Sequence, residues 1–287
     1  MPGLKEVGKK IASFKNTQKI TRAMKMIAAT KLRKAQYVYD QTEPYKKHFG
    51  EVMYKLAGSF SLDHPLFHGR GTMKKALIIL FTSDRGLCAG FNGNVIKAAS
   101  AFTDRLKRGG AETAMSFFGR RGHEHFRRHG AAVRHYYEGM VNRPEFEKLS
   151  GIAGELVEGF LRMELDAVHI VFNEFKSAIR QVPCIQQLLP VSADPFAGDR
   201  KRIDFLFEPS PGDILNDLVI RGVKFTLYRS LLNSIVAEQA ARMNAMDNAT
   251  NNCRDLIEKL TLKRNKARQA AITRELMEIV SGAEAMK

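Results

Sequence analysis

The longest helical pattern in the sequence lies near the carboxyl end of the chain. Residues 214–281 contain no proline and a single glycine, Gly222, and Ser210 and Pro211 precede them as an N-cap and a first-turn proline. Apolar side chains recur at steps of three and four residues, which predicts one very long amphipathic helix that needs a partner along its length. The predicted seam contains Leu215, Leu218, Gly222, Phe225, Arg229, Leu232, Val236, Gln239, Met243, Met246, Thr250, Cys253, Leu256, Leu260, Lys263 and Ala267.

A second long helical pattern occupies the amino-terminal end. Its predicted seam contains Leu4, Val7, Ile11, Phe14, Gln18, Thr21, Lys25, Ala28, Leu32, Ala35 and Tyr39, and a parallel stripe contains Ile20, Met24 and Ile27. The spacing is that of a coiled coil, although polar residues occupy several seam positions. The pattern continues more weakly to about Phe60. We therefore expect the two terminal helices to pair as an antiparallel coiled coil.

The period changes between the two helices. Short apolar runs that favour strands alternate with helical runs, a pattern typical of a mainly parallel, Rossmann-like α/β sheet. The predicted strands span residues 76–82, 112–118, 132–137 and 167–172, and the predicted helices span 94–107 and 145–163. Residues 177–182 and 184–189, on either side of Pro183, are predicted to be extended and to form an antiparallel edge.

These patterns divide the chain into five parts. We predict a first shaft helix over residues 1–60, a connector over 61–74, an α/β foot domain over 75–193, a second connector over 194–210 and the second shaft helix over 211–287. The fold class is therefore α/β combined with long α-helices.

Charge indicates an anionic partner. The formal net charge is +16, and the first 35 residues contain one acid, Glu6, beside many basic residues. Those basic residues are Lys5, Lys9, Lys10, Lys15, Lys19, Arg22, Lys25, Lys31, Arg33 and Lys34. Nucleic acid, a lipid surface and an acidic protein all remain open at this point.

Two further observations indicate the cellular compartment of the protein. No apolar run approaches the roughly 18 residues that span a bilayer, and the first residues show no signal-peptide pattern. Cys88, Cys184 and Cys253 are far apart and form no CxxC spacing, so neither a disulfide framework nor a zinc site is expected. We expect a protein of a reducing compartment that is at most peripheral to a membrane.

The candidate catalytic and cofactor-binding motifs do not have the residue spacing that such sites require. Gly86, Gly90 and Gly93 follow a predicted strand, but they lack the G-x-G that lets a backbone approach a pyrophosphate. The histidines His123, His125 and His129 form no H-E-x-x-H, and neighbouring arginines would repel a cation. No nucleophile motif is present. We expect no catalytic, cofactor-binding or metal site.

Three stretches resemble one family. These stretches are residues 11–36 (IASFKNTQKITRAMKMIAATKLRKAQ), 83–92 (SDRGLCAGFN) and 265–285 (NKARQAAITRELMEIVSGAEA). They closely resemble the most characteristic stretches of the gamma subunit of bacterial F-type ATP synthase. The likeness covers essentially the whole chain in order. It implies a central-stalk rotor that couples ion-driven rotation of the c ring to ATP synthesis, or to hydrolysis in reverse, and that carries no active site.

The resemblance also implies partners and contact residues. The partners are the alpha and beta subunits, the epsilon subunit and the ring of c subunits, with ATP, ADP and magnesium held by alpha and beta. The implied location is the cytoplasmic face of the bacterial inner membrane, with membrane association only through the complex and with no nucleic acid bound. The residues matching positions that engage beta are Met24, Lys25, Cys88, Arg242, Gln269, Thr273 and Glu275, and the foot residues facing the c ring are Phe205, Phe207 and Glu208.

Two alternatives from other classes remain to be tested. A basic coiled-coil nucleic-acid binder would explain the charge, although the basic segment has few aromatic residues and the chain has no tryptophan. An enzyme that uses the turn from Gly86 to Gly93 for a nucleotide is the second alternative. A steep salt dependence of DNA binding would favour the first, and tight ATP or NAD binding by the isolated chain would favour the second.

Overall fold

The computed structural model describes residues 4–59, 66–67, 73–191 and 211–284. Its elements are α1 (Leu4–Asp40), α2 (Glu43–Ser59), β1 (Lys75–Phe81), α3 (Phe91–Arg108), β2 (Glu112–Phe118), α4 (Arg120–Arg128), β3 (Val133–Tyr137), α5 (Phe146–Leu161), β4 (Ala167–Phe175), β5 (Gln181–Leu189) and α6 (Pro211–Glu284). The chain divides into two compact units, one formed by Thr30–Ala241 and the other by Met1–Ala29 with Arg242–Lys287.

The larger unit contains a five-stranded sheet of order β3-β2-β1-β4-β5, in which only β5 runs antiparallel to its neighbour. The central strand β1 is buried on both faces because its apolar residues alternate between two cores. Leu77 and Ile79 pack with α5 and α6, whereas Ile78 and Leu80 pack with α3. The predicted α/β class with long terminal helices is confirmed.

The far edge of the sheet differs from the prediction. Residues 181–189 form one strand that runs through Pro183, and the residues preceding Gln181 form a tight turn instead of an extended segment. Pro183 lies opposite Asn173, on the outermost strand of the sheet, where a residue without an amide hydrogen is tolerated. The predicted break at the proline was therefore wrong, whereas the antiparallel pairing of the edge is confirmed.

Two helical features also escaped prediction. The short helix α4 was missed because its sequence, RRGHEHFRR, carries one large apolar residue, Phe126, and shows no repeating apolar stripe. The amino-terminal helix ends at Asp40, and a turn at Gln41 and Thr42 separates it from α2. The apolar pattern of the sequence runs across that turn without signalling it.

Within the larger unit, α6 packs into the hydrophobic core of the α/β domain and is not simply one of the two helices of a coiled coil. Val219, Val223, Leu227 and Leu231 are buried against the sheet and α5, whereas the predicted seam residue Phe225 is only half-buried. From Ser230 onward for about three turns, nearly every side chain is buried. The predicted seam residues Leu232 and Val236 are buried in this stretch, and residues off the seam are buried as well, because α6 is covered on several sides, which a one-partner pattern does not anticipate.

Arg229 of α6 holds the joint between α1 and α2. Its guanidinium carbon lies 4.3 Å from the centroid of the Tyr39 ring, and its Nη2 donates to Tyr39 Oη at 3.0 Å. The same guanidinium also donates to Thr42 Oγ1 and forms an ion pair with Glu43. Asn233 Nδ2 donates to Tyr39 Oη at 3.0 Å. A forked, planar cation therefore fixes the end of one helix, the turn and the start of the next.

We expect Arg229→Lys to loosen this joint, because an ammonium cannot stack on Tyr39 and reach both other partners at once. The free energy of unfolding of the larger unit should fall by about 1–2 kcal/mol. Amide hydrogen exchange at residues 39–46 should accelerate. Arg221→Lys is the matched control, since exposed Arg221 makes a single helical ion pair with Asp217. Equal effects of both substitutions would contradict the assignment.

Candidate interaction surface

The smaller unit pairs α1 with the distal part of α6. Lys25 Nζ lies 2.6 Å from Asp247 Oδ1, and the hydroxyl oxygens of Thr21 and Thr250 lie 2.8 Å apart. Since one number rises as the other falls, the two helices run antiparallel. Val7, Ile11, Ala28, Met246 and Cys253 are the buried apolar residues along this seam. The seam thus contains polar as well as apolar contacts, as the sequence predicted.

One side of α1 carries a stripe of apolar side chains that the seam does not cover. Ile20 and Ile27 are exposed, whereas Met24 beside them is half-buried. Ile20 and Ile27 belong to the second stripe that the sequence shows. A helix with a single partner can bury one stripe, so the second stripe stays exposed.

The distal part of α6 presents the remaining contact residues that the resemblance implies. Gln269, Thr273 and Glu275 are exposed. The Thr273 hydroxyl donates to the Gln269 carbonyl oxygen at 3.0 Å, so these two residues share one face. Glu275 lies about 200° further around the helix. Arg242 is half-buried at the start of this unit. The structure thus brings Gln269 and Thr273 together and places Glu275 apart from them.

Cys88 lies in the larger unit and its thiol is buried. It packs with Phe91, Ala237 and Ala241, and Asn92 Nδ2 lies 3.2 Å from its sulfur. The thiol thus faces the interior of its own chain, and the expectation that the turn carrying Cys88 lies close to beta stays a prediction.

Leu87 is the exposed large apolar residue of the same turn. Its side chain is 65% exposed and its backbone has a φ of 63°. Sequence analysis did not single out this leucine, because nothing in the letters distinguishes an exposed leucine in a turn from a buried one. Phe205, Phe207 and Glu208 lie outside the described residues.

The glycine turn after β1 is closed by its own side chains. Asn92 Oδ1 accepts from the Ser83 amide at 3.0 Å and Asn92 Nδ2 donates to Ser83 Oγ at 2.7 Å. Gly119 and Gly122 allow the start of α4 to approach Thr82 closely. The hydrogen-bonding groups that would meet a phosphate are thus partly used inside the turn, which disfavours the nucleotide alternative.

The histidines of α4 form stacked pairs instead of a ligand set. The rings of His125 and His129 lie 4.3 Å apart, and His123 stacks on Tyr136 at 4.4 Å. Burial, the neighbouring His129 and Arg128 lower the pKa of His125. Among the residues that the structure describes, no group of three His, Cys, Asp or Glu side chains could hold a metal ion.

Comparison with known proteins agrees with the resemblance. The family described as ATP synthase matches residues 3–286. The ATP synthase gamma chain of Anaeromyxobacter sp. (strain Fw109-5) is 42% identical over 295 residues, and that of Bdellovibrio bacteriovorus is 40% identical over 294 residues. Each comparison covers 100% of both chains.

Solved structures share the fold. A chain from the Euglena gracilis mitochondrial ATP synthase (OSCP/F1/c-ring, rotational state 3) is similar with a TM-score of 0.67 and 20% identity, over 99% of this chain and 94% of that chain. A chain from the Tetrahymena thermophila mitochondrial ATP synthase central stalk and c ring gives a TM-score of 0.56 and 24% identity, over 80% and 99%. At these identities the likeness concerns the fold.

Proposed function

The chain belongs to the gamma-chain family of ATP synthase, and from this premise we propose how it works as the central stalk. Rotation driven by ions at the c ring would turn the paired helices α1 and α6, and their changing contacts would carry the catalytic beta subunits through states of different nucleotide affinity. The chain would thereby couple ion flow to ATP synthesis, and hydrolysis to rotation in reverse. It would carry no active site.

The observation that supports this proposal is the exposed apolar surface at the distal end of α6. Leu262, Ile272, Leu276, Met277, Ile279 and Val280 are all exposed. They lie on one broad face of the helix, which spans about 160° of its circumference and which the described part of the chain leaves exposed. An exposed apolar face of this extent is typical of a segment that contacts other chains.

Polar residues on the same unit fit a contact that forms and breaks. A shaft that stops at several positions must bind each of them with similar free energy, because a deep minimum at one position would stall it. Gln269, Thr273 and Glu275 offer hydrogen bonds of modest net strength to beta, and Arg242 and Lys25 offer cations. The basic, exposed side of α1 suits an acidic lining through screened charge contacts.

Partners, cofactors and location follow from the same premise. We propose contacts with alpha and beta along the helices, with epsilon and the c ring at the α/β domain, and with the c ring through Phe205, Phe207 and Glu208. ATP, ADP and magnesium would be bound by alpha and beta, with no cofactor in this chain. In the described part of the chain no helix is both long and apolar enough to cross a membrane. A peripheral place on the cytoplasmic face of the bacterial inner membrane would then depend on the complex.

A reconstitution tests the proposed coupling. The purified chain should show no ATPase activity, whereas adding it to purified alpha and beta subunits should produce a stable, cooperative ATPase. Omitting the chain is the matched control. Full cooperative activity of alpha and beta without the chain would contradict the proposal, and so would ATP hydrolysis by the chain alone. Filter binding to DNA with a steep salt dependence, without association with alpha and beta, would favour the nucleic-acid alternative.

A further inference from the structure

A pocket lies between α1, α6 and the loop that follows β3. Its volume is about 290 Å³, and every residue that lines it belongs to the larger unit. This is the volume of roughly ten water molecules, each of which takes up about 30 Å³ of the liquid. The pocket is therefore large enough for a small organic molecule but too small for the two long chains of a phospholipid.

One end of the pocket is apolar. It lies near the hydrogen bond from Asn233 Nδ2 to Tyr39 Oη, where Val38 of α1 and Leu232 of α6 line the wall. Leu232 is buried and Val38 is half-buried. These two side chains offer water no hydrogen bond, so this end of the pocket favours an apolar occupant.

Polar side chains meet at the other end. The helices α1 and α6 run antiparallel here, so residues equally far from the hydrogen bond at the apolar end lie level with each other. Lys34 and Glu238 are each five residues away from that bond along their helices. Lys31 lies one helical turn beyond Lys34, Gln239 follows Glu238, and all four line the pocket. The pocket thus has an apolar end and a charged, hydrogen-bonding end.

The polar end contains a hydrogen-bond acceptor that is not used. Gln239 Oε1 is buried and has no hydrogen-bond partner among the described residues. The amide nitrogen of the same side chain donates to Glu238 Oε1 at 3.3 Å, which identifies the other atom of the amide as the oxygen. A buried carbonyl oxygen without a partner is costly, so this position favours an occupant that donates a hydrogen bond.

Two lysines give the polar end a positive charge. Lys31 and Lys34 are exposed, and neither forms an ion pair with any residue that the structure describes. Glu238 is the one acidic residue among those that line the pocket, so the two cations outnumber it. The net charge of this end therefore favours an anion over a neutral molecule or an amine.

The loop wall of the pocket is fixed by hydrogen bonds of its own. Asn142, which lines the pocket, donates from Nδ2 to Asp84 Oδ2 at 2.6 Å. The amides of Asn142 and Arg143 donate to the Gly139 carbonyl oxygen at 3.0 and 3.2 Å. The wall is thus in place without an occupant, and a ligand that fits loses little free energy in ordering it.

We propose that this pocket binds a small amphipathic organic anion whose head also donates a hydrogen bond, the chemistry of a medium-chain 2-hydroxy acid. The carboxylate would accept from Lys31 and Lys34, the hydroxyl would donate to Gln239 Oε1, and the chain would lie against Val38 and Leu232. The site is independent of the proposed rotary function, because all of these residues belong to one unit of this chain.

Titration calorimetry of the purified full chain tests the site with four probes, each below the concentration at which it forms micelles. We expect 2-hydroxyoctanoate to bind once per chain with a Kd below about 1 mM. Octanoate, which lacks the hydroxyl, should bind about tenfold more weakly, because Gln239 Oε1 stays unpaired. The uncharged 1,2-octanediol should also bind more weakly, and lactate, which has the head without the chain, should show no heat of binding.

The substitution Gln239→Met tests the hydrogen bond, since it removes the acceptor and keeps the length of the side chain. The affinity for 2-hydroxyoctanoate should fall about tenfold, to that of octanoate, whereas the affinity for octanoate should not change. The control is Gln36→Met, because exposed Gln36 lies on α1 outside the lining of the pocket. Equal discrimination between the two acids by the parent and the Gln239→Met chain would refute the assignment of the acceptor.

The charge of the head is tested by the double variant Lys31→Gln/Lys34→Gln. It should bind both acids about fivefold to tenfold more weakly and the diol as the parent does. The double variant Lys15→Gln/Lys19→Gln is the matched control, since it removes the same charge from exposed positions of α1 outside the pocket. Equal weakening by both double variants would mean that net charge alone attracts the acids, and would overturn the site.

The location of the chain of the ligand is tested by Ala35→Leu, which adds volume at a half-buried position that lines the pocket. Binding of all three eight-carbon probes should be lost, and circular dichroism should show an unchanged helix content. Unaltered binding by a folded Ala35→Leu chain would overturn the site. Should this variant not fold, the response to Gln239→Met still decides. Similar affinities of the parent chain for all four probes would show non-specific adsorption and would also overturn the proposal.

Discussion

Gly119→Ala should abolish the native packing of the α/β domain. Gly119 joins β2 to α4 with a φ of 101°, and a Cβ at this position would lie 2.0 Å from the Thr82 carbonyl oxygen. That oxygen is backbone at the end of the central strand, so no rotamer change can relieve the overlap. The expected loss in free energy of unfolding is about 4 kcal/mol or more, a large fraction of the stability of a typical domain.

The hydrogen bonds around Gly119 explain why the chain approaches so closely there. Thr82 Oγ1 donates to the Gly119 carbonyl oxygen at 3.1 Å and accepts from the Gly122 amide at 2.9 Å. The Thr82 amide donates to the Phe118 carbonyl oxygen at 2.8 Å. Moving Gly119 away from Thr82 would therefore break several buried bonds, each expensive to leave unmade.

The measurement is amide hydrogen exchange followed by mass spectrometry. Gly119→Ala should expose the amides of β1, β2 and β4. Gly130→Ala is the matched control, because Gly130 has a φ of 70° with no atom within 4 Å of an added Cβ. The control should lose only the backbone cost, about 1 kcal/mol. Equal unfolding midpoints for the two variants would refute the steric explanation.

The second prediction with a large expected effect concerns the stability of the fold at acidic pH. His169 of β4 is 7% exposed, its ring lies 4.8 Å from that of Phe102, and its Nδ1 has no hydrogen-bond partner among the described residues. Burial, with a smaller contribution from Arg105, lowers the pKa of His169 from 6.5 to about 4. The protein therefore folds with this imidazole neutral, and protonating it in place is unfavourable.

The depressed pKa fixes the sign of the pH dependence. Below pH 6.5 the unfolded chain binds a proton that the folded chain refuses until about pH 4, so stability falls as the pH falls through this window. The total loss is about 3 kcal/mol. Stability from this group is fully present above pH 6.5.

His169→Leu should remove this dependence. Urea unfolding of the full chain at several pH values, followed by hydrogen exchange in β4 and α3, measures it. The variant should lose less stability than the parent between about pH 6.5 and pH 5, a range in which few carboxylates titrate. His48→Leu is the control, since exposed His48 lies on α2 far from this core. Parallel pH profiles for parent and His169→Leu would show that another group carries the acid sensitivity.

The apolar pattern of the sequence predicted the parts of the fold in which one apolar face of an element packs against one neighbouring element. The seam residues Val7, Ile11, Ala28 and Cys253 are buried as expected, and the strand over residues 112–118 has the predicted bounds. The pattern did not predict how completely α6 is buried around Ser230, where core residues surround the helix. Burial there depends on elements far away in sequence, which a local period cannot encode.

The exposure of the predicted contact residues was likewise indicated by the sequence only in part. Resemblance identified exposed positions such as Gln269 and Thr273 because they belong to a long motif. It also selected Cys88, whose thiol is buried, and gave no indication that Leu87 and Ile179 are exposed. Exposure of an apolar side chain at a turn is decided by backbone conformation and neighbouring hydrogen bonds, neither of which is visible in the order of residues.

The pairing of the two terminal helices has a consequence for the synthesis of the protein. The Thr21 and Thr250 hydroxyls that meet in the seam are separated by 229 positions along the chain, and Lys25 and Asp247 by 222. During synthesis the first helix leaves the ribosome with its apolar stripe bare and waits for nearly the whole chain to be made. The positive charge of this helix makes association between two such bare helices unfavourable, because like charges repel.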